Sequence, residues 1–312
     1  MSILIDVILP VFLVIALGYA AARAKLIDDN GIDGIMRFAQ NFALPILLFK
    51  SIAALDLSNS FQPGLLISFY AGAFSGFAFG FSLSRFVFHR SLAECVALGF
   101  ACLFSNSLLL GVPITERAYG PDALAGNFAI ISIHAPILYS FGIMLMEWVR
   151  ARDTVARSQP LAVMILRRVF SQPLVIGIVC GFTVNLSGLP LPVAVAAAVE
   201  MMARAGLPAA LFGLGGVLLR YHPEGDKALI AVVCFASLVL HPTVTYVLSR
   251  FAFELDTASL RSATLTAAMA PGVNAYMFAH LYGVGRRVAA TSVLMGTVLC
   301  IPSVWLWLHI LP

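Results

Sequence analysis

Leu44-Pro45-Ile46-Leu47-Leu48-Phe49 is answered 163 residues later by Leu207-Pro208-Ala209-Ala210-Leu211-Phe212, and this pair of stretches decides the fold. At the same offset Pro10 and Gly18 recur as Pro173 and Gly181, and Tyr119-Gly120 recurs as Tyr282-Gly283. Overall identity between the halves is low, so the signal is the placement of helix-breaking residues. The chain around them is 61% hydrophobic and 11% charged, where soluble domains carry about 25% charged residues. An all-α integral membrane protein follows. Apolar runs long enough to cross a bilayer, ~20 residues, occupy 3–22, 34–54, 63–88, 92–115, 124–149, 169–188, 191–219, 228–250, 260–281 and 287–310. Two copies of five spans must insert in opposite orientations. The expected architecture is therefore ten transmembrane helices as two inverted five-helix repeats, 1–150 and 164–312, with a cytoplasmic connection at 151–163.

Charge sets the expected orientation. The connections after odd-numbered spans carry fourteen Arg and Lys, the even ones four. By the positive-inside rule the odd connections are cytoplasmic and both termini lie outside. The same bias accounts for the net charge of +4 without a nucleic acid partner. The start, Met1-Ser2-Ile3, lacks a basic n-region, so the first span reads as retained rather than as a cleaved signal. The five cysteines fall in apolar spans at no disulfide or metal spacing and read as packing residues. No cofactor is expected.

The fourth and ninth spans carry the chemistry. The fourth contains Ser105-Asn106-Ser107-Leu108-Leu109-Leu110-Gly111-Val112-Pro113, and the ninth Ala270-Pro271-Gly272-Val273-Asn274-Ala275. Pro removes a backbone donor and clashes with the turn before it, and irregular backbone at membrane depth survives only in protein or beside a wet cavity. The inference is two broken helices crossing near the membrane centre, their half-helix N-termini offering positive dipole ends to an anion. Asn106 and Asn274 would add side-chain amides. The plainer alternative is two kinked helices glued by their Asn side chains.

Together with Ile8-Leu9-Pro10-Val11-Phe12, Gly18-Tyr19 and Asn41-Phe42-Ala43-Leu44-Pro45, and with the ninth-span run Gly272-Val273-Asn274-Ala275-Tyr276-Met277-Phe278-Ala279 followed by Tyr282-Gly283, these motifs resemble the auxin efflux carrier family over essentially the whole length. That family holds plant auxin exporters and bacterial malonate-type carriers. The resemblance implies a bile-acid-transporter-type fold of the inner membrane. Spans one, two, six and seven would form a scaffold, and three to five with eight to ten a moving transport domain. It implies small organic carboxylates carried by an elevator-type motion, and no enzymatic activity. Substrate-binding residues would be Asn106, Asn274, Ser105, Ser107, Asn41, Gly272, Tyr276 and Arg204, with Gly111, Pro113, Pro271, Pro45 and Pro208 at the crossover and hinges. Pairing of two copies through the scaffold is a further expectation. This chain departs in one place: the family usually carries Pro at the position of Ala270, where this chain has Pro271.

Other intramembrane polar residues keep two readings. Glu200 and Arg204 stand four apart, so they either neutralise one another or serve the substrate, Arg204 as an anion contact and Glu200 as a proton carrier. His134 is a packing histidine or a proton relay. Asn41, with Gln40, lines the cavity or satisfies carbonyls freed by Pro45. Neither 103–113 nor 267–278 contains Asp or Glu, which disfavours a sodium-coupled bile-acid-type site, since a hard cation wants carboxylate oxygen. An intramembrane enzyme would need a nucleophile–base pair or metal cluster, for which there is no motif. A channel on the same fold is the remaining alternative.

Overall fold

The computed structural model describes residues 4–151 and 161–312. Met1-Ser2-Ile3 and most of the expected connection at 151–163, with Arg152 and Arg157, lie outside them. Among the described residues the structure is helical: α1 (Leu4–Arg23), α2 (Asp29–Ala53), α3 (Pro63–Val87), α4 (Leu92–Leu103), α5 (Val112–Tyr119), α6 (Pro121–Arg150), α7 (Leu161–Phe170), α8 (Pro173–Ser187), α9 (Val193–Leu219), α10 (Lys227–Ala252), α11 (Thr257–Ala267), α12 (Val273–Tyr282) and α13 (Arg286–Ile310). Seven are long and apolar enough to span a bilayer, eight if α7 and α8, bent by 79°, count as one. The segments expected as spans four and nine are each split into two short helices. Helix α7 carries Arg167 and Arg168 and turns sharply into α8, the arrangement of an interfacial helix leading into a span.

Helix starts follow side-chain chemistry. Asp28, Ser91, Asp226 and Asp256 accept from backbone N–H groups of the first turns of α2, α4, α10 and α11, satisfying donors that have no partner within the helix. Inside the helices proline leaves a second mark. Pro45, Pro113 and Pro242 are each preceded by one widened turn, at Ala39–Ala43, Ser107–Gly111 and Ala236–Leu240. An extra residue in the turn relieves the clash between the ring and the carbonyl four residues back.

The recurrence seen in the sequence has a geometric counterpart. Helix α1 packs on α9, and α8 packs on α2. At Gly18 an added Cβ would lie 1.9 Å from the Phe212 carbonyl oxygen, and at Gly181 2.8 Å from the Phe49 carbonyl oxygen. Gly18 and Gly181, and Phe49 and Phe212, are pairs at the offset of 163, so the same glycine-to-carbonyl approach occurs twice. Helices α3 and α10 likewise end alike, in Leu83-Ser84-Arg85-Phe86 and Leu248-Ser249-Arg250-Phe251. Each has a widened last turn followed by a positive-φ residue, His89 or Glu254. Arg90 N–H donates to the Ser84 carbonyl and Leu255 N–H to that of Ser249, both at 2.9 Å. Here the offset is 165, a drift that the Pro and Gly positions alone did not reveal.

These contacts leave no room for a side chain, and small residues are what let membrane helices approach this closely. Gly18→Ala and Gly181→Ala should each cost about 1–3 kcal/mol by overpacking, read as a lower melting temperature in detergent. Gly34→Ala, whose added Cβ meets nothing within 4 Å, should leave the melting temperature unchanged or raise it.

Candidate functional site

Helix α4 stops at Leu103, and Phe104 continues in extended backbone. Helix α11 stops at Ala267, and the chain resumes helix only at Val273. Between the two breaks runs one antiparallel bridge, Ser105 opposite Pro271. Asn106 N–H donates to the Ala270 carbonyl and Gly272 N–H to the Phe104 carbonyl, both at 2.8 Å. In this register the residues directly opposite one another exchange no hydrogen bond. Pro271 occupies such a position, so its missing N–H costs the bridge nothing. Ala270 gives the bridge only its carbonyl, so the register tolerates proline at 271 as it would at 270, where the family resemblance would have placed it. Behind the bridge the buried Asn127 amide donates to Thr115 Oγ1 (3.1 Å) and Thr266 Oγ1 (2.8 Å), tying α5 to α11.

Two half-helices start from the bridge: the widened turn Ser107–Gly111 leading into α5, and α12. Neither preceding residue, Asn106 or Gly272, caps its helix with a side chain; in α12 Ala275 N–H turns back to the Gly272 carbonyl at 2.9 Å, and the N–H groups before it keep no intrahelical partner. Both starts line a cavity of about 300 Å³. Its wall also holds Gln40 and Asn41 from the widened turn of α2, His134 and Tyr139 from α6, and Gln172 and Pro173 at the start of α8. No Asp, Glu, Lys or Arg is among its lining residues.

Within the wall the polar groups differ in what they already do. Ser105 Oγ and Ser107 Oγ lie 2.8 Å apart and satisfy each other across the break. Asn106 Nδ2 is buried without a hydrogen-bond partner, and so are both ring nitrogens of His134. The His134 ring sits edge-on to Phe104, with centroids 4.6 Å apart. A buried donor with no partner is costly.

The structure brings together Asn41, Ser105, Asn106, Ser107, Gly272, Asn274 and His134. Gly111 closes the widened turn before α5, and Pro45 lies inside α2 just after that helix's own widened turn, Ala39–Ala43. Tyr276 turns away, its ring against Tyr221 with centroids 4.9 Å apart. Glu200, Arg204, Pro113 and Pro208 line a different cavity. Gln172 and Tyr139 were not singled out in the sequence. Pro173 marks a helix start and could have exposed Gln172; Tyr139 has no local signal.

The membrane transport protein family profile matches residues 3–308. The chain belongs to this family. Its members are membrane transporters and include auxin efflux carriers. The chain is 24% identical over 306 residues to the "Putative malonate transporter" of Rhizobium meliloti (strain 1021), covering 97% of this chain and 94% of that protein. It is 24% identical over 307 residues to the uncharacterized transporter YfdV of Escherichia coli (strain K12), covering 97% and 96%. To auxin efflux carrier component 8 of Arabidopsis thaliana it is 23% identical over 348 residues, covering 94% and 93%. This family member is thus a multi-pass membrane transporter rather than an enzyme.

Gly272→Pro removes the donor to the Phe104 carbonyl while keeping extended backbone, and should destabilise the fold by about 1–3 kcal/mol. Pro271→Ala removes no donor and should melt close to the parent. Thermal unfolding of the two purified variants checks the bridge directly.

Proposed function

We propose that the protein is a secondary carrier moving a small organic carboxylate across the cytoplasmic membrane, with the carboxylate held at the helix break. One observation carries this reading: two half-helix N-termini without side-chain caps line one cavity without a formal charge in its wall, with the buried, unpartnered Asn106 amide beside it. Each helix start is equivalent to about half a positive charge, and the start of α8 at Pro173 adds a third. Such partial charges, up to about 2 kcal/mol each when partly buried, hold an anion without trapping it, as a carrier requires. A fixed Arg or Lys would bind more tightly and release more slowly. The absence of carboxylates from the lining residues favours an anion over a hard cation. The name of the Rhizobium relative makes malonate the first substrate to try.

Counting each split segment as one span, the chain has ten spans in two inverted repeats, with both termini outside the inner membrane. The twofold recurrence of the glycine–carbonyl packing supports this. Spans one, two, six and seven form the scaffold, through which two copies pair. The rest form a transport domain that moves past it, elevator fashion, with the substrate cavity between the two.

Asn106→Ala should abolish malonate or other carboxylate uptake by reconstituted vesicles, with melting temperature and oligomeric profile kept. Undiminished uptake would remove the break from the mechanism, and single-channel conductance would replace the carrier by a channel. A melting screen of the parent protein against mono- and dicarboxylates identifies the ligand. An anion at 100 times its Kd should stabilise by about 2.7 kcal/mol, and Asn106→Ala should erase that shift.

A further inference from the structure

A second cavity, of about 570 Å³, lies against α1, α2, α5 and α9. Its wall is related to that of the first by the sequence offset of 163. Gln40, Asn41, Leu44, Leu48 and Pro173 line the first cavity; their counterparts Ala203, Arg204, Leu207, Leu211 and Pro10 all line the second. The two differ in charge. The first has no formal charge in its wall, whereas the second contains Lys50, Arg117 and Arg204 with Glu116 and Glu200. Arg204 stands where the first cavity has Asn41.

The charges are organised around one carboxylate. Lys50 Nζ forms an ion pair with Glu200, and Arg204 Nε donates to Glu200 Oε1 at 2.7 Å. Arg117 is held at the wall by donating from Nε (3.0 Å) and Nη2 (2.6 Å) to the Asp6 carbonyl. A side-chain carboxylate therefore already occupies the point where two cationic donors converge.

We propose that this second cavity is an anion-docking site for small carboxylates, in which Glu200 stands in for the ligand. An entering carboxylate displaces Glu200 and takes the Lys50 and Arg204 donors, with Arg117 adding positive potential. Three cations against two carboxylates leave the wall one charge positive, enough to favour anions over cations at the mouth. Its placement on the extracytoplasmic face rests on the orientation proposed above; the docking chemistry does not.

The test is charge-selective labelling. Leu207→Cys, at a wall position that is only partly buried, is made in a Cys180→Ser background, the other four native cysteines being buried. Rates of modification by anionic and cationic methanethiosulfonates are compared, each divided by its rate with a free thiol. The anionic reagent should be preferred, on the order of 10-fold. Glu200→Gln should raise the preference, Lys50→Gln and Arg204→Gln should lower it, and malonate should slow labelling. Val14→Cys, on the opposite wall, repeats the measurement should Leu207→Cys fold poorly. Rates indifferent to reagent charge and to Glu200→Gln would overturn the docking site while leaving the carrier reading intact. Undiminished transport by Asn106→Ala would overturn the carrier reading without touching these rates. In intact cells the impermeant reagent should reach Leu207→Cys from outside; labelling only from the cytoplasm would overturn the sidedness of this site and the proposed orientation of the termini with it.

Discussion

Two backbone hydrogen bonds between Phe104–Asn106 and Ala270–Gly272 are the constraint on which the rest of the structure depends. In a bilayer an unpaired peptide group costs several kcal/mol, so two helices can be interrupted there only if each break satisfies the other. The bridge does this with one proline at the position that needs no donor, and the Asn127 amide braces the two broken segments from behind. Neither break would be tolerable alone. That mutual dependence explains why the interruptions occur in both halves of the chain.

Once the helices are broken, their starts become part of a cavity wall. The starts of both half-helices line a neutral cavity whose polar side chains are amides, hydroxyls and an imidazole. Ser105 and Ser107 are spent on each other, which leaves Asn106 as the side chain in need of an acceptor. The division of labour among three adjacent polar residues follows from which of them already has a partner. Charge is kept for the second cavity, where three cations and two carboxylates share the wall.

The helices around these cavities are held by shape rather than by charge. Gly18 against the Phe212 carbonyl, and Gly181 against that of Phe49, bring α1 to α9 and α8 to α2 at backbone distance. The result is a rigid pair of helix contacts with the same geometry twice. Between them lie the proline-widened turns that aim Gln40 and Asn41 at the first cavity.

Much of this was legible in the sequence because it is written in residues with a backbone consequence. Pro45, Pro113, Pro271 and Gly272 state where a helix cannot continue, and apolar length states that the chain lies in a membrane, whatever it packs against. Family membership was legible in the order of those motifs. Packing decided which side chains share a cavity. Arg204 and Asn106 both sit in apolar segments, yet they line different cavities; Tyr276 is two residues from Asn274, yet its ring leaves the wall for Tyr221. Gln172 joins the site only because α7 bends by 79° into α8. A helix break is a local property of the chain, whereas the direction a side chain faces depends on how helices distant in sequence lie against one another, and only the tertiary structure sets that.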